Sequence, residues 1–186
     1  MILTNSQIFG FIDNIHEKEH PSIKLVSLKK NKTIVEQGRL NRSVYVVKEG
    51  ILKCSITEEN SKSYTLEFLS AGEIVGEIET LLQCKNLATI KTLTDSLLYK
   101  IDIEFFNEIL LTNPEFNHLL MIELAKRLQK TANRASSQQL NTLQFSLKNL
   151  LSILAEQNVK FKKTDLAEYL GITLRSLNRE LKNMNT

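Results

Sequence analysis

The chain of 186 residues has no tryptophan, only two cysteines and only two prolines. Cys54 and Cys84 lie far apart in no C-x-x-C pair and are too few for a usual iron–sulfur cluster, so we expect both to be buried and reduced. His16 and His20 stand four residues apart, but Pro21 disfavours helical geometry at His20 and no third ligand is near. We interpret them as solvated histidines and predict no metal site and no cofactor.

Long hydrophobic runs are also absent. No stretch reaches the roughly 18 uninterrupted apolar residues that a membrane-spanning helix needs, and Met1, Ile2 and Leu3 are followed at once by polar residues, unlike a signal peptide. We therefore expect a cytoplasmic protein that does not contact a membrane. The sequence also lacks a Ser/Cys–His constellation, a phosphate loop or a carboxylate pair on a catalytic scaffold, so an enzyme is not predicted.

Net charge is unevenly distributed along the chain. Residues 143–186 hold 7 basic and 4 acidic side chains, whereas the remainder holds 17 of each. The whole formal excess of +3 therefore lies in the last quarter of the sequence. This is a modest electrostatic signature of nucleic-acid binding.

Residues 22–101 consist of short runs rich in Val, Ile, Thr and Tyr, separated by turn-forming residues. About eight such runs at regular spacing predict an antiparallel sandwich or double-sheet jelly roll. An amphipathic helix capped by Thr4, Asn5 or Ser6 precedes them, and a helix capped by Asp102 follows. The runs read IKLVSL, TIVE, SVYVVK, ILKCSIT, SYTLEFL, EIVGEI, ATIKTLT and LLYKI.

One long helix is predicted over residues 114–139, because Asn113 can cap it, Pro114 suits its first position, and no other Gly or Pro interrupts it. Its apolar stripe of Phe116, Leu120 and Leu124 suits packing against the chain's own body. The polar residues 135–139 near its end suggest a hinge.

A second stripe on this helix has alternating spacings of four and three, which is typical of a heptad seam. Its small side chains would let two helix backbones approach closely, so we predict a homodimer. The alternative is that this stripe packs on the same subunit. The predicted seam consists of Met121, Ala125, Leu128, Ala132 and Ala135.

The most specific motif in the chain lies at residues 163–182, after a break at residues 158–162. Gly171 supplies the positive φ of a tight turn, and Thr164 and Thr173 can cap the helices on either side. Leucines on both helices converge on one small core. This spacing predicts a helix-turn-helix.

The second helix of this motif carries a basic ridge at i, i+4 and i+7. Arginine reads guanine through two hydrogen bonds, whereas lysine mainly contacts phosphate. The alternative is a solvated basic face on an ordinary three-helix unit. The predicted DNA-reading set is Thr173, Leu174, Arg175, Ser176, Asn178, Arg179 and Lys182.

Several motifs, in this order along residues 23–182, resemble the family of catabolite-activator and fumarate-nitrate regulators (CRP/FNR). They are Thr33-Ile-Val-x-x-Gly38, Val44-Tyr-Val-Val-x-x-Gly50, Gly72-x-x-x-Gly76-Glu77, the Arg127-Leu128-Gln129 of the long helix, and the helix-turn-helix. The GEIETL and AEYLGITLRSL runs are similar to the YeiL-like branch.

The resemblance implies an α+β protein in three parts. Residues 1–112 would form a cyclic-nucleotide-binding-like β-roll sensor, residues 113–140 a dimerisation helix with a hinge, and residues 141–186 a helix-turn-helix DNA-binding domain. It also implies a homodimer on a near-palindromic double-stranded DNA site, with RNA polymerase as a further partner. Relatives continue into a β-hairpin wing that this sequence, ending at Thr186, does not contain; either the wing is absent or the chain is truncated.

In cyclic-nucleotide-binding relatives a glutamate takes the ribose hydroxyl, and an arginine about ten residues on neutralises the phosphate. Here Glu77 matches the glutamate, but Asn86 or Leu87 stands where the arginine belongs, and Glu79 adds a carboxylate. We therefore predict a sensor that does not respond to cyclic AMP, with Lys85 or Lys91 as the alternative phosphate ligand. The candidate pocket residues are Gly76, Glu77, Asn86, Leu87, Ala88, Arg127 and Thr131.

Glu77 then needs another partner, and the resemblance implies that Arg127 reaches it. We predict a structural ion pair between barrel and helix, and an unliganded, hydrophobic or constitutively active sensor remains an alternative. The function predicted from the sequence is a sequence-specific, homodimeric transcription regulator. The alternative is a metabolite-sensing dimer that controls a protein partner without binding DNA.

Overall fold

The computed structural model describes residues 4–156 and 160–184, so residues 158 and 159 of the predicted break lie outside the described residues. The chain begins with α1 (Ser6–Glu17), where the Asn5 side chain accepts a hydrogen bond from the Ile8 N–H and caps the helix, as predicted. Ile8 and Ile12 on one face of α1 are fully buried. This helix therefore packs against the body of the protein.

Two four-stranded antiparallel sheets follow, which confirms the predicted β-roll. The first has the order β1-β8-β3-β6 and the second the order β2-β7-β4-β5. Apolar side chains between the two sheets form one core, and apolar side chains on the other face of the first sheet form a second core under α1. The strands are β1 (Ile23–Leu28), β2 (Thr33–Val35), β3 (Ser43–Glu49), β4 (Leu52–Thr57), β5 (Ser63–Leu69), β6 (Ile74–Val75), β7 (Thr89–Thr92) and β8 (Ser96–Asp102).

The run EIVGEI is only partly a strand. Strand β6 ends at Val75, because Gly76 adopts a left-handed conformation with φ +88°, and a short helix α2 (Glu77–Leu82) begins directly after it. A side chain at this position would also displace the Asn41 amide, but the positive φ is the reason that glycine is favoured here. The reversal turns Glu77 inward, where it is 1% exposed.

Helix α3 (Ile103–Thr112) leads into α4 (Pro114–Leu140), the predicted long helix. The Asn113 side chain caps α4, and Phe116 and Leu120 are buried while Leu124 packs beside them, as predicted. Helix α4 continues through residues 135–139 to Leu140, and a hinge at these residues stays a prediction. No helix among the described residues is long and apolar enough to cross a membrane.

The last described elements are α5 (Leu143–Glu156), α6 (Lys163–Leu170) and α7 (Leu174–Met184), which share a third core. Gly171 has φ +68° and joins α6 to α7, and Ser176 N–H donates to the Thr173 hydroxyl at 3.1 Å, so the predicted turn and second cap are confirmed. The cap predicted at Thr164 is wrong, because α6 begins at Lys163 and Lys162 occupies the cap position.

Candidate effector cavity and nucleic-acid interface

A cavity of about 70 Å³ lies between the inner face of the β2-β7-β4-β5 sheet, α2 and α4. Five of the predicted pocket residues line it: Gly76, Glu77, Leu87, Ala88 and Arg127. The rest of the wall is mainly apolar. The space that remains is far below the roughly 300–1,000 Å³ of a usual small-molecule pocket.

Two predicted pocket residues do not line this cavity. Asn86 is buried, but its amide donates to the Glu36 carbonyl at 2.9 Å and so holds a turn. Thr131 is exposed on α4, on the side of the predicted seam.

Arg127 is the centre of the polar part of this site. Its guanidinium forms the predicted ion pair with Glu77 and donates to the Ile74 carbonyl at 2.7 Å. It also lies 3.4 Å from a Glu67 oxygen and 3.6 Å from a Glu73 oxygen. One cation from α4 is therefore shared by three carboxylates of the β-roll.

The excess of carboxylates changes their protonation. Glu73 and Glu77 are each 1% exposed, and burial raises the pKa of both carboxyls to about 7 although Arg127 opposes the shift. Because one guanidinium cannot compensate several desolvated carboxylates, the cluster favours proton uptake. The sequence analysis did not predict that Glu67 and Glu73 belong to this site. For Glu67, the alternation of side chains between the two faces of β5 could have indicated that it points towards the cavity.

Two donors that could hold an anion in this cavity are engaged by the protein itself. Arg127 is paired as described, and the Leu87 N–H donates to the Glu79 carboxylate at 3.0 Å. Lys85 and Lys91 are both exposed, and neither lines the cavity. The wall thus presents carboxylates rather than free cations, an electrostatic setting that disfavours a phosphate.

The two cysteines differ in environment. Cys54 on β4 lines the cavity, is 7% exposed, and has a thiol pKa raised by burial. Cys84 is exposed, so its predicted burial is wrong, because it follows the end of α2 after Gln83, which has a left-handed conformation. No group of three or more His, Cys, Asp or Glu within residues 4–156 and 160–184 could hold a metal ion.

All five residues of the predicted seam are exposed on the subunit. The exposed fraction is 57% for Met121 and 72% for Leu128, high values for large apolar side chains on a helix whose other stripe is buried. Within the single chain, most of the surface of these two side chains is therefore left uncovered. The alternative that it packs on the same subunit is wrong.

The predicted DNA-reading residues lie on and just before α7. Arg175, Arg179 and Lys182 are exposed, as are Thr173, Leu174 and Asn178, whereas Ser176 is half-buried. The Asn178 side-chain oxygen accepts from Lys163 Nζ at 3.0 Å, which adds a lysine from α6 to this surface. Leu177 is fully buried on the opposite side and anchors the helix.

Comparison with known proteins agrees with this architecture. Residues 25–113 match the family model of the cyclic nucleotide-binding domain. The chain is 20% identical to the cAMP-activated global transcriptional regulator CRP of Escherichia coli over 190 residues, which covers 96% of this chain and 87% of that protein.

Two solved structures share the fold. One is the c-di-GMP responsive global regulator CLP of Xanthomonas campestris, with a TM-score of 0.83, 18% identity, and coverage of 93% of this chain and 91% of that one. The other is a Crp/Fnr-family transcriptional regulator of Eubacterium rectale, with a TM-score of 0.77, 17% identity, and coverage of 89% and 79%. At these identities the structures establish the fold.

Proposed function

We propose that this chain is a transcription regulator of the CRP/FNR family that binds DNA sequence-specifically as a homodimer and does not respond to cyclic AMP. The observation that carries the proposal is that one subunit presents two uncovered surfaces, an apolar seam on α4 and a basic ridge on α7. The assignment to the YeiL-like branch and the division at residues 112 and 140 stay predictions.

The basic ridge supports a DNA-reading role. In a helix-turn-helix, the N-terminal residues of the second helix contact base edges in the major groove. Arg175 and Arg179 project from the solvent-exposed side of α7, while Leu177 holds the helix to its core. Arginine at such positions distinguishes guanine by paired hydrogen bonds.

The seam supports a dimer on a two-fold symmetric site. An exposed apolar stripe along a helix of 27 residues is stabilised when a second copy covers it. Two recognition helices related by that symmetry would enter successive major grooves roughly 34 Å apart. The DNA site should therefore be near-palindromic.

The cavity supports independence from cyclic AMP. A volume of about 70 Å³ is too small for a nucleotide, and the Leu87 N–H and Arg127 are already bound to carboxylates. The names of the relatives do not assign an effector: the Escherichia coli protein is cAMP-activated and the Xanthomonas protein responds to c-di-GMP. The residues that line this cavity are therefore stronger evidence about the effector than similarity to either relative.

The test is selection of bound sequences from random DNA by the purified full-length protein without added nucleotide. We expect enrichment of a near-palindrome whose half-sites are about 10 bp apart, centre to centre. A pool without enrichment would contradict DNA reading and favour the alternative of a dimer that acts on a protein partner. Enrichment only in the presence of cyclic AMP would contradict the second part of the proposal.

A further inference from the structure

The side chains of Lys163 and Asn178 join the two helices of the helix-turn-helix. The Asn178 side-chain oxygen accepts a hydrogen bond from Lys163 Nζ at 3.0 Å. Lys163 is the first residue of α6, and Asn178 lies near the middle of α7. Both residues are exposed, so the contact lies on the surface and outside the core that the two helices share. Its loss would leave that core intact.

Asn178 lies at one edge of the basic ridge on α7. Successive residues of a helix are about 100° apart, so Arg175 and Arg179 lie on the side of α7 opposite the buried Leu177. By the same spacing, Asn178 lies about 60° to 100° to one side of these two arginines. The hydrogen bond to Lys163 shows that this side faces α6. Asn178 therefore flanks the surface that would enter the major groove.

The contact also determines which end of the Asn178 amide is in use. An ammonium group only donates hydrogen bonds, so the amide oxygen must be the atom that faces Lys163. Asparagine recognises adenine by using this oxygen as an acceptor together with its NH2 group as a donor. Because Lys163 already holds the oxygen, Asn178 is not arranged for this recognition.

Lys163 keeps most of its capacity to bind an anion. Its bond to Asn178 uses one of three ammonium N–H donors and leaves two. The acidic side chains of α6, Asp165 and Glu168, are paired with Lys53 instead, and within residues 4–156 and 160–184 Lys163 forms no ion pair. In a helix-turn-helix the first helix crosses the DNA backbone, and lysine mainly contacts phosphate. A phosphate is therefore the group that this ammonium suits.

We propose that Asn178 is a positioning residue, which holds the ammonium of Lys163 for contact with a phosphate of the DNA backbone and does not itself read a base. A free lysine side chain loses conformational entropy when it binds, and one that is already held loses less. The hydrogen bond should therefore contribute a factor of about two to ten in affinity. This inference rests on the proposed function and changes the role of one residue in the predicted DNA-reading set.

The test with DNA is a double-mutant cycle in the full chain, on a site selected by the unmodified protein. Lys163→Ala should weaken binding to all sequences and lower the slope of log affinity against log salt concentration by about 0.9, which is one phosphate contact. Asn178→Ala should weaken binding about two- to tenfold, equally for the selected site and for its single-base variants. In the Lys163→Ala background, Asn178→Ala should have no further effect.

The control for these variants is Asn183→Ala. Asn183 is also exposed on α7 but lies about 140° from Asn178 around the helix, on the other flank of the ridge. We expect this variant to bind DNA as the unmodified protein does. Because all three residues are exposed, the variants should fold, and their melting curves check this.

The contact between the two side chains is also measured in the free protein. NMR relaxation gives the order parameter of the Asn178 side-chain amide, which is low for a side chain that moves freely. We expect this order parameter to fall in Lys163→Ala and to stay unchanged in Lys162→Ala, which removes the exposed neighbouring lysine. Equal order parameters in these two variants would overturn the inference.

Three results with DNA would also overturn it. Relaxed specificity at one base pair in Asn178→Ala would show that Asn178 reads a base. An equal loss of affinity with and without Lys163 would show that Asn178 acts independently of that lysine, and an unchanged affinity would show that it positions nothing. Failure of the proposed function is a different outcome, because the unmodified protein would then select no DNA site at all.

Discussion

The guanidinium of Arg134 lies 3.7 Å from the centre of the Tyr169 ring and donates a hydrogen bond to the Tyr169 carbonyl. Arg134 belongs to α4, Tyr169 to α6, and the same guanidinium donates to the carbonyls of Leu66 and Thr65 on β5, the latter at 2.7 Å. The centre of the Tyr64 ring lies 4.5 Å from the same guanidinium. One side chain thus joins the long helix, the sensor and the helix-turn-helix unit.

The first prediction follows from this geometry. Arg134→Lys keeps the charge but loses the planar fork, so carbonyl groups that Arg134 now satisfies would lack a donor. We expect the free energy of unfolding to fall by about 1–3 kcal/mol, with faster hydrogen exchange in α6. Arg39→Lys, at an exposed position, is the control and should change little. Equal stability of the two variants would contradict the role given to Arg134.

The second prediction concerns DNA reading. Arg179→Ala should cost about 1–3 kcal/mol at the selected site and relax specificity at one base pair of each half-site. Lys182→Ala should instead weaken binding to all sequences and reduce the salt dependence by about one phosphate contact. Titration of labelled DNA at several salt concentrations measures both effects, and Arg42→Ala on the sensor is the control. If Arg179→Ala bound selected DNA as tightly as the unmodified protein, α7 would not be the reading helix.

The third prediction is that cyclic AMP and cyclic GMP do not stabilise the protein. A ligand present at 100 times its dissociation constant stabilises a protein by about 2.7 kcal/mol, which calorimetry detects easily. We expect no shift in melting temperature at millimolar concentration, because carboxylates already engage Arg127 and the Leu87 N–H. A saturable shift would show that the cavity opens and that Lys85 or Lys91 replaces the missing arginine.

The fourth prediction tests the seam. Leu128→Glu would place two carboxylates together across the two-fold axis, where desolvation and like charge both oppose ionisation. We expect the dimer to weaken by several kcal/mol and specific DNA affinity to fall with it. Leu124→Glu is the matched variant on the buried stripe and should destabilise each subunit instead. A folded Leu128→Glu protein that sediments as a dimer at micromolar concentration would exclude this stripe as the interface.

The fifth prediction is a dependence of stability on pH. The folded-state pKa of Glu73 and Glu77 is about 7, above the ordinary value of 4.5. The native state therefore holds more protons between these values, and the stabilisation, complete below about pH 4.5, is lost as the pH rises through 7. We expect the unfolding free energy to fall by up to about 1.4 kcal/mol per pH unit for each carboxyl, and less where the two are coupled.

Urea unfolding between pH 5 and pH 8 measures this slope. Glu73→Gln removes one of the two titrating groups and should flatten it, while Glu58→Gln, at an exposed position, should leave it unchanged. A slope unaffected by Glu73→Gln would mean that this carboxyl is not the group that takes up the proton.

The sequence by itself determined the element order and several of its boundaries. Asn113 and Pro114 start the long helix, and Gly171 with Thr173 forms the turn of the helix-turn-helix, because capping and left-handed turns depend on few neighbouring residues. The eight short runs rich in Val, Ile, Thr and Tyr were also sufficient to predict an antiparallel sandwich or jelly roll, and the family resemblance implied the β-roll. The helical spacing of residues on α4 also distinguished the buried stripe from the exposed one, because that spacing is a local property of the sequence.

Apart from the Arg127–Glu77 pair, which the family resemblance implied, only the tertiary structure decided which distant side chains meet. Arg127 is shared by Glu67, Glu73 and Glu77 because β5, the turn before β6 and the start of α2 converge on one position of α4. The docking of α6 on β4 and β5 depends on contacts across more than a hundred residues, such as Lys53 to Asp165. No local pattern encodes such pairs. A lysine that is exposed to water and a lysine that is paired with a buried carboxylate can have similar neighbours in sequence, and only the fold determines which groups lie against each of them.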